Sequence, residues 1–158
     1  MSTTTLTVNG QTRQISAAAT TPLIDVLRNQ LGLTGTRYGC GLEQCGSCMV
    51  LVDGKPVYAC TREVGTVAGQ AIVTIEGLGT AATPHPLQRA FLDEQAGQCG
   101  YCLSGILISA AALLARNRKP SRAEIVAALD PHLCRCGMHN RVIRAVQRAG
   151  VAMAGPSA

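Results

Sequence analysis

Apolar and polar positions follow different patterns in the two halves of this 158-residue chain. Up to about residue 76, apolar residues form short runs bounded by turn residues, a pattern that predicts β-strands. Beyond Pro86 they recur every three or four positions, which predicts amphipathic helices. The segment GLGTAATPHP (77–86) consists of glycine, small residues and proline and is interpreted as a linker. We therefore expect an α+β protein with a mixed-sheet domain at 1–78 and a helical domain at 83–158.

Two hairpins and one further strand are predicted in the first half. Asn9-Gly10 and Asp53-Gly54 each lie between two apolar runs, and such pairs favour two-residue turns with positive φ. Pro56 requires an edge or strand-end position because it cannot donate to the ladder. The predicted strands are TLTV (5–8), TRQI (12–15), MVLV (49–52), PVYAC (56–60) and AIVTIE (71–76).

One helix is predicted in the first half and four are predicted in the second. Thr21 suits the N-cap and Pro22 the first position of a short helix that runs to Leu31. In the second half, Ser121 and Glu124 have the spacing of a capping box. The four later helices are predicted from Pro86 to about Ala96, from about Cys102 to Ala115, from the Ser121 cap to about Leu129, and from about Asn140 to Met153.

The composition indicates how the chain is held together. Only 3% of its residues are aromatic and it has no Trp, so the core must use Ala, Val, Leu and Ile, which bury less area per side chain.

The start MSTTTLTVNG lacks the basic and apolar regions of a secretory signal, and we expect a reducing, cytoplasmic location. A partner could still carry a complex to the periplasm or to a membrane. Eight cysteines in a reducing compartment favour metal ligation over disulfides.

Two other classes of function are not favoured. The net charge is +5, but no block of Lys and Arg is interleaved with aromatic residues, so nucleic-acid binding is not expected. The longest apolar run begins near Cys102 and is shorter than the roughly 20 residues that a membrane span needs. This run is interpreted as a buried helix.

The stretch CGLEQCGSC (40–48) indicates a metal–sulfur centre. Its cysteines, with one more downstream, give the spacing C-x4-C-x2-C-x11-C, whose opening is the plant-type [2Fe–2S] spacing. Glycines at 39, 41 and 46 allow the backbone to curl around the sulfurs and to bring amide N–H groups close to them. A structural zinc site is the alternative. The predicted ligands are Cys40, Cys45, Cys48 and Cys60.

The remaining cysteines form a second set at two turns between predicted helices. A C-x2-C pair and a C-x-C pair would surround one centre if the bundle brings their turns together. His132 and His139 flank the C-x-C pair, so a site that uses histidine is an alternative, although we expect both to be solvent-facing or helix-end residues. His85 is interpreted as a turn residue. The predicted ligands of the second set are Cys99, Cys102, Cys134 and Cys136, and the two sets use all eight cysteines.

The motifs CGLEQCGSC…C and QCGYC…CRCG, in this order and separated by a linker, resemble those of the small iron–sulfur subunit of the molybdenum hydroxylases, the xanthine oxidase group. The resemblance covers nearly the whole chain. It implies an N-terminal β-grasp domain of the plant-type ferredoxin class, with one [2Fe–2S] cluster on the first cysteine set. It also implies a C-terminal four-helix-bundle domain with a second [2Fe–2S] cluster on the other set.

The same resemblance implies an electron-transfer function without a catalytic residue on this chain. Substrate chemistry would occur at a molybdopterin, in its cytosine dinucleotide form, in a large partner subunit. Gln98 matches a position that hydrogen-bonds the pterin, and Cys136 matches a cluster ligand whose sulfur lies close to it. Electrons would pass through both clusters to an acceptor, for which a flavin or cytochrome c subunit is the expected further partner.

One departure from the family pattern bears on the substrate. Many members continue the first helical motif as Cys-Thr-Pro-Gly, whereas this chain has Cys-Leu-Ser-Gly at 102–105. The sequence resembles variants that oxidise N-heteroaromatic compounds such as nicotinate or isoquinoline, or aldehydes. Two alternatives to this family remain, a free-standing ferredoxin-like carrier and a zinc-stabilised interaction module.

Overall fold

The computed structural model describes residues 2–155, which form a five-stranded sheet followed by a group of helices. The order of strands in the sheet is β2-β1-β5-β3-β4, and β1 runs parallel to β5 while the other neighbours are antiparallel. The predicted α+β class is confirmed, and the sheet with its single packed helix is the expected β-grasp arrangement. The strands are β1 (Ser2–Val8), β2 (Gln11–Ala17), β3 (Met49–Val52), β4 (Lys55–Tyr58) and β5 (Ala71–Val73).

Both predicted hairpins are present. Asn9 and Gly10 have φ of 51° and 74°, and Asp53 and Gly54 have φ of 48° and 76°, so each turn has positive φ at both central residues. Pro56 lies in β4, the edge strand, as predicted. The missing N–H of this proline therefore costs no hydrogen bond to a neighbouring strand.

The helix of the first half differs from the prediction at both ends. It consists of α1 (Leu23–Asp25) and a π-helical turn that ends at Gln30. Thr21 does not cap it, and Pro22 is its N-cap without a side-chain hydrogen bond. The reason is tertiary: the N–H groups of the first two helical residues bond to the carbonyls of Arg62 and Ala59, which follow β4.

Two predicted strand ends were wrong. β4 ends at Tyr58, so Cys60 lies two residues beyond the strand. β5 ends at Val73, because Thr74 instead exchanges hydrogen bonds with the side chain of Asn9: its N–H donates to Oδ1 at 2.9 Å and its Oγ1 accepts from Nδ2 at 3.0 Å. The chain then turns into a short helix, α2 (Ile75–Leu78), where a strand was expected.

In the described part of the chain, four helices follow the segment that was interpreted as a linker, as predicted. The Ser121–Glu124 capping box is present, with hydrogen bonds of 3.2 and 2.7 Å. The first of these helices ends earlier than predicted, since Gln95 adopts a φ of 49°. The helices are α3 (Pro86–Asp93), α4 (Leu103–Arg116), α5 (Arg122–Leu129) and α6 (His139–Ala154).

Each half has its own apolar core, and cysteines belong to both. In the first half, α1 and the π-helical turn pack with strand residues, and Cys48 and Cys60 lie in the same cluster. In the second half, the central helix α4 is buried from residue 104 to 114, and Cys102 lies at its N-terminus within that core. Between residues 2 and 155, no helix combines the length and apolar character that a membrane crossing requires.

Candidate metal centres

The first cysteine loop, residues 38–48, connects the π-helical turn region to β3 and presents backbone amides to sulfur. The N–H groups of Leu42 and Gln44 each donate to Cys40 Sγ at 3.3 Å, and the N–H of Cys40 donates to Cys45 Sγ at 3.3 Å. The hydrogen bonds from Leu42 and Gln44 lower the pKa of Cys40 to about 7. The loop therefore stabilises negative charge on sulfur before any cation is bound.

Glycine allows this close approach. A Cβ atom on Gly39 would lie 2.6 Å from Cys45 Sγ, closer than a side chain and a sulfur atom can come. Gly41 and Gly46 have φ of 71° and 72°, which favours glycine because other residues rarely adopt this conformation. The prediction that the glycines provide backbone access to the thiols agrees with these distances.

The other two thiols of the first set are buried. Cys48 and Cys60 hydrogen-bond to each other through their side chains. Burial raises the pKa of Cys48 to about 12, with the Cys60 thiol adding to the shift. A thiolate is stable here only beside a cation such as a metal ion.

The second set is assembled from the α3–α4 turn and the α5–α6 turn, which the fold brings together. Cys99 Sγ and Cys136 Sγ lie 3.5 Å apart, and the thiols of Cys102 and Cys134 hydrogen-bond to each other. Burial raises the pKa of Cys102 to about 12, whereas the N–H of Tyr101 lowers the pKa of Cys99. Each set thus contains one more exposed and one more buried pair of thiols.

The arrangement by pairs fits a two-iron cluster. In a [2Fe–2S] centre the four protein thiolates divide between two iron atoms, and each set here divides in the same way, as 40/45 with 48/60 and as 99/136 with 102/134. Across residues 2–155, no group of three or more His, Cys, Asp or Glu side chains converges on the position of a single ion. The donor chemistry, the pairing and the amides aimed at sulfur all suit the cofactor that the sequence predicts.

The histidines occupy three different environments. His132 is only 5% exposed, so the expectation that it faces solvent was wrong; it lies three residues after the end of α5. Its Nε2 lies 2.7 Å from Ser109 Oγ on α4, and burial lowers its pKa to about 4, which keeps the ring neutral. His139 is exposed at the start of α6, as expected. His85 is the N-cap of α3: its Nδ1 accepts from the N–H of Leu87 at 3.1 Å.

Gln98 is exposed beside the second cysteine set. It lines a groove of about 700 Å³ with residues of α3 and the start of α4, among them Leu92 and Leu103. Arg135, between two of the cysteines, is also exposed. The side chains next to the exposed Cys99–Cys136 pair are thus accessible to another molecule.

Hydrogen bonds connect the loops that bear the two cysteine sets, and sequence reasoning did not find them. The N–H of Leu133 donates to the carbonyl of Cys45 at 3.1 Å, one residue before Cys134. The hydroxyl of Tyr101, between two cysteines of the second set, donates to the carbonyl of Tyr38 at 2.5 Å. Spacing along the chain carries no signal for such contacts between loops more than 60 residues apart.

Comparison with protein families divides the chain at the same place as the fold. Residues 6–71 match the model of the 2Fe-2S iron-sulfur cluster binding domain. Residues 74–147 match the model of a [2Fe-2S] binding domain. Together these matches cover nearly all of the chain, so two iron–sulfur domains follow one another.

Two similar proteins match over nearly their whole lengths. A nicotinate dehydrogenase subunit from Pseudomonas putida is 50% identical over 147 residues, which are 93% of this chain and 94% of that protein. The alpha subunit of isoquinoline 1-oxidoreductase from Brevundimonas diminuta is 47% identical over 143 residues, which are 90% of this chain and 93% of that protein. The names of both describe subunits of oxidoreductases.

Solved structures have the same fold. The aldehyde oxidoreductase from Desulfovibrio gigas matches with a TM-score of 0.95 and 40% identity, over 99% of this chain and 18% of that longer chain. The quinoline 2-oxidoreductase from Pseudomonas putida 86 matches with a TM-score of 0.91 and 36% identity, over 99% of this chain and 98% of that one. The paired thiols, the two matched domains and these relatives together place the chain in the family of small [2Fe–2S] iron–sulfur subunits of the molybdenum hydroxylases.

Proposed function

We propose that this chain is the electron-transfer subunit of a molybdenum hydroxylase and relays electrons from a molybdopterin centre in a large partner subunit to an acceptor. The observation that carries the proposal is the division of eight cysteines into two sets of paired thiols. The loops that bear the two sets are joined by a backbone hydrogen bond. A [2Fe–2S] cluster takes up and releases one electron at a time, and this is the chemistry that the cofactor supplies. The ligands would be Cys40, Cys45, Cys48 and Cys60 for one cluster and Cys99, Cys102, Cys134 and Cys136 for the other.

The connection between the two sets supports a relay. From Cys45, the path to Cys134 runs through its own carbonyl, the 3.1 Å hydrogen bond from the N–H of Leu133, and one peptide unit. No side chain needs to move to maintain this path. Both ligand loops are also anchored in apolar cores through buried cysteines, which limits changes in geometry when the charge at each site changes.

The more exposed pair of the second set, Cys99 and Cys136, is suited to lie next to the partner subunit. Gln98 and Cys136 would lie near the pterin of the large subunit, which we expect to be the cytosine dinucleotide form. An exposed amide side chain can both donate to and accept from the edge of a pterin. The domain limits that we propose are 1–78 and 83–158, on either side of the segment between α2 and α3.

The substrate is assigned by analogy with relatives, and the final acceptor is an expectation from the family resemblance. Similarity to the subunits of nicotinate dehydrogenase and isoquinoline 1-oxidoreductase favours an N-heteroaromatic substrate for the complex. Similarity to aldehyde oxidoreductase makes an aldehyde the second choice. A flavin or cytochrome c subunit would take the electrons, and the complex would act in the cytoplasm.

Purification of the tagged chain from cells grown with molybdate tests the proposal. We expect a large partner chain to co-purify, with molybdenum and pterin in the complex and iron, but no stoichiometric zinc, in the small chain. Recovery of the iron-loaded chain alone would favour a free-standing carrier. Recovery with zinc in place of iron would favour an interaction module.

A further inference from the structure

One buried polar side chain has no part in the proposed relay. His132 lies between the two halves of the molecule, two residues before Cys134, and its Nε2 is held by Ser109 Oγ at 2.7 Å. Its buried Nδ1 makes no well-formed hydrogen bond among the described residues, and the polar group that interacts with the ring on the loop side is the backbone of Gly46. Burial of a polar atom without a good hydrogen bond costs free energy, so the presence of this ring calls for an explanation.

The unpartnered edge of this ring packs on the first cysteine loop. A Cβ atom on Gly46 would lie 2.3 Å from His132 Nδ1 and 2.7 Å from the carbonyl oxygen of Pro131. The loop therefore passes so close to the imidazole that only glycine fits. Gly46 is adjacent to Cys45, so the ring contacts the loop beside one of the predicted ligands.

Helix α4 closes the other side of the same glycine. A Cβ atom on Gly105 would lie 2.0 Å from the carbonyl oxygen of Gly46 and 3.2 Å from Ser47 Cα. Gly46 is therefore held between the backbone of α4 and the ring of His132. Because Ser109 is four residues after Gly105, the helix face that touches the loop also fixes the imidazole.

Hydrogen bonds from the helical half satisfy carbonyls of the same loop. The N–H of Leu133 and the hydroxyl of Tyr101 bond to the carbonyls of Cys45 and Tyr38 at 3.1 and 2.5 Å, and Ser104 Oγ lies 3.4 Å from the carbonyl of Ser47. The loop that bears three cysteines of the first set is thus shaped on one side by the second domain.

We propose that His132 is a positioning residue, and that the joint it forms with Ser109, Gly46 and Gly105 sets both the geometry of the first cluster site and its separation from the second. The inference rests on the proposed function, since it assumes that both cysteine sets hold clusters. In this joint, Ser109 holds the ring by a hydrogen bond and the ring contacts Gly46. Gly105 has no side chain, so helix α4 can pack directly on the backbone of Gly46. A substitution in the helical domain is therefore expected to change the properties of the first cluster, which the other domain binds.

The test uses the full chain in complex with its partner and three substitutions that leave every cysteine in place. His132→Phe keeps an aromatic ring, larger than imidazole, but loses the hydrogen bond; Ser109→Ala removes the hydrogen-bond partner without adding volume. Gly105→Ala forces the helix away from Gly46. We expect all three to retain iron. The first two should shift the midpoint potential and g-values of the first cluster. Gly105→Ala should weaken the magnetic interaction between the two reduced clusters.

Two comparisons make the test specific. The double variant Ser109→Ala with His132→Phe should shift the first cluster no further than His132→Phe alone, because the serine acts only through the ring. Gly69→Ala, where a Cβ would meet nothing within 4 Å, makes the same chemical change away from the joint and should leave both signals unchanged.

Unaltered potentials and spectra in iron-replete His132→Phe and Ser109→Ala would overturn the positioning role. If Gly105→Ala fails to fold, the Ser109→Ala variant, which removes one hydroxyl, still decides the question. An unsubstituted complex without two clusters would instead overturn the proposed function, and the positioning role with it.

Discussion

Single backbone amides and glycines determine which atoms can approach each sulfur. Cys40 accepts two amide N–H groups, while Cys48 is buried beside Cys60, and the pKa values of Cys40 and Cys48 consequently shift in opposite directions. Gly39 has the most direct effect, because a Cβ at this position would lie 2.6 Å from Cys45 Sγ. Glycine at this position thus leaves space for the sulfur atom that the side chain of any other residue would fill.

Gly39→Ala is expected to remove the first cluster and leave the second. The added methyl group occupies space needed by Cys45 Sγ. The backbone on either side is held by hydrogen bonds, from Tyr101 to the carbonyl of Tyr38 and from the N–H of Cys40 to Cys45 Sγ. Iron analysis should show a loss of about half the iron, with the spectrum of the second cluster retained. Gly69→Ala is the control: its backbone strain at φ of 78° costs stability on the order of 1 kcal/mol but touches no sulfur. Full iron content in Gly39→Ala would contradict the assignment.

Gln98 and Cys134 separate partner contact from cluster ligation. Gln98→Ala should keep both clusters but slow their reduction by substrate, since an exposed side chain is removed without changing a thiol. Cys134→Ala should lose the second cluster and destabilise the helical half. Stopped-flow reduction of the complex together with iron analysis distinguishes the two, and loss of iron in Gln98→Ala would show that its role is not contact with the pterin.

At the scale of elements, the start of α3 contains a device that depends on pH. Neutral His85 caps the helix by accepting the N–H of Leu87, and the Gln88 side chain accepts the N–H of His85 at 2.8 Å. Burial lowers the pKa of His85 below its usual 6.5. The folded state therefore binds fewer protons than the unfolded state, and this contribution to stability is complete above pH 6.5 and is lost as the pH falls from there towards the lowered value.

His85→Ser should remove that pH dependence and keep the cap, because serine is a good N-cap that does not titrate. His85→Ala should lose about 1 kcal/mol at neutral pH. Thermal unfolding of both variants beside the parent, at pH 7.5 and at pH 5.5, measures the difference due to this residue alone. Equal pH slopes in the parent and in His85→Ser would contradict the proposed capping chemistry.

The elements that the sequence predicted well are those decided by neighbouring residues. Asn9-Gly10 turns the chain locally, and the Ser121 capping box starts α5 from residues three positions apart. The start of α1 was misassigned because its N–H groups bond to carbonyls after β4, which no local pattern reveals. The burial of His132 depends likewise on a helix 23 residues earlier, so its motif alone could not predict it.

For the whole molecule, metal binding and folding are expected to be coupled. Cys48 and Cys102 lie in the two apolar cores and form thiolates only beside a cation, so the proposed ligation would connect each core to its cluster. Removal of iron by a chelator under reducing conditions should lower the unfolding temperature of the chain. Calorimetry before and after the treatment checks this, and an unchanged temperature would show that the cores do not depend on the clusters.

The central claim is that one chain holds two separate electron carriers, and electron paramagnetic resonance of the fully reduced complex measures this most directly. We predict two distinct [2Fe–2S] signals of equal integrated intensity, one lost in Cys60→Ala and the other lost in Cys134→Ala. A single signal in the unsubstituted complex would contradict the account. The account would also be contradicted by a variant in which both signals disappear together although the rest of the iron is retained.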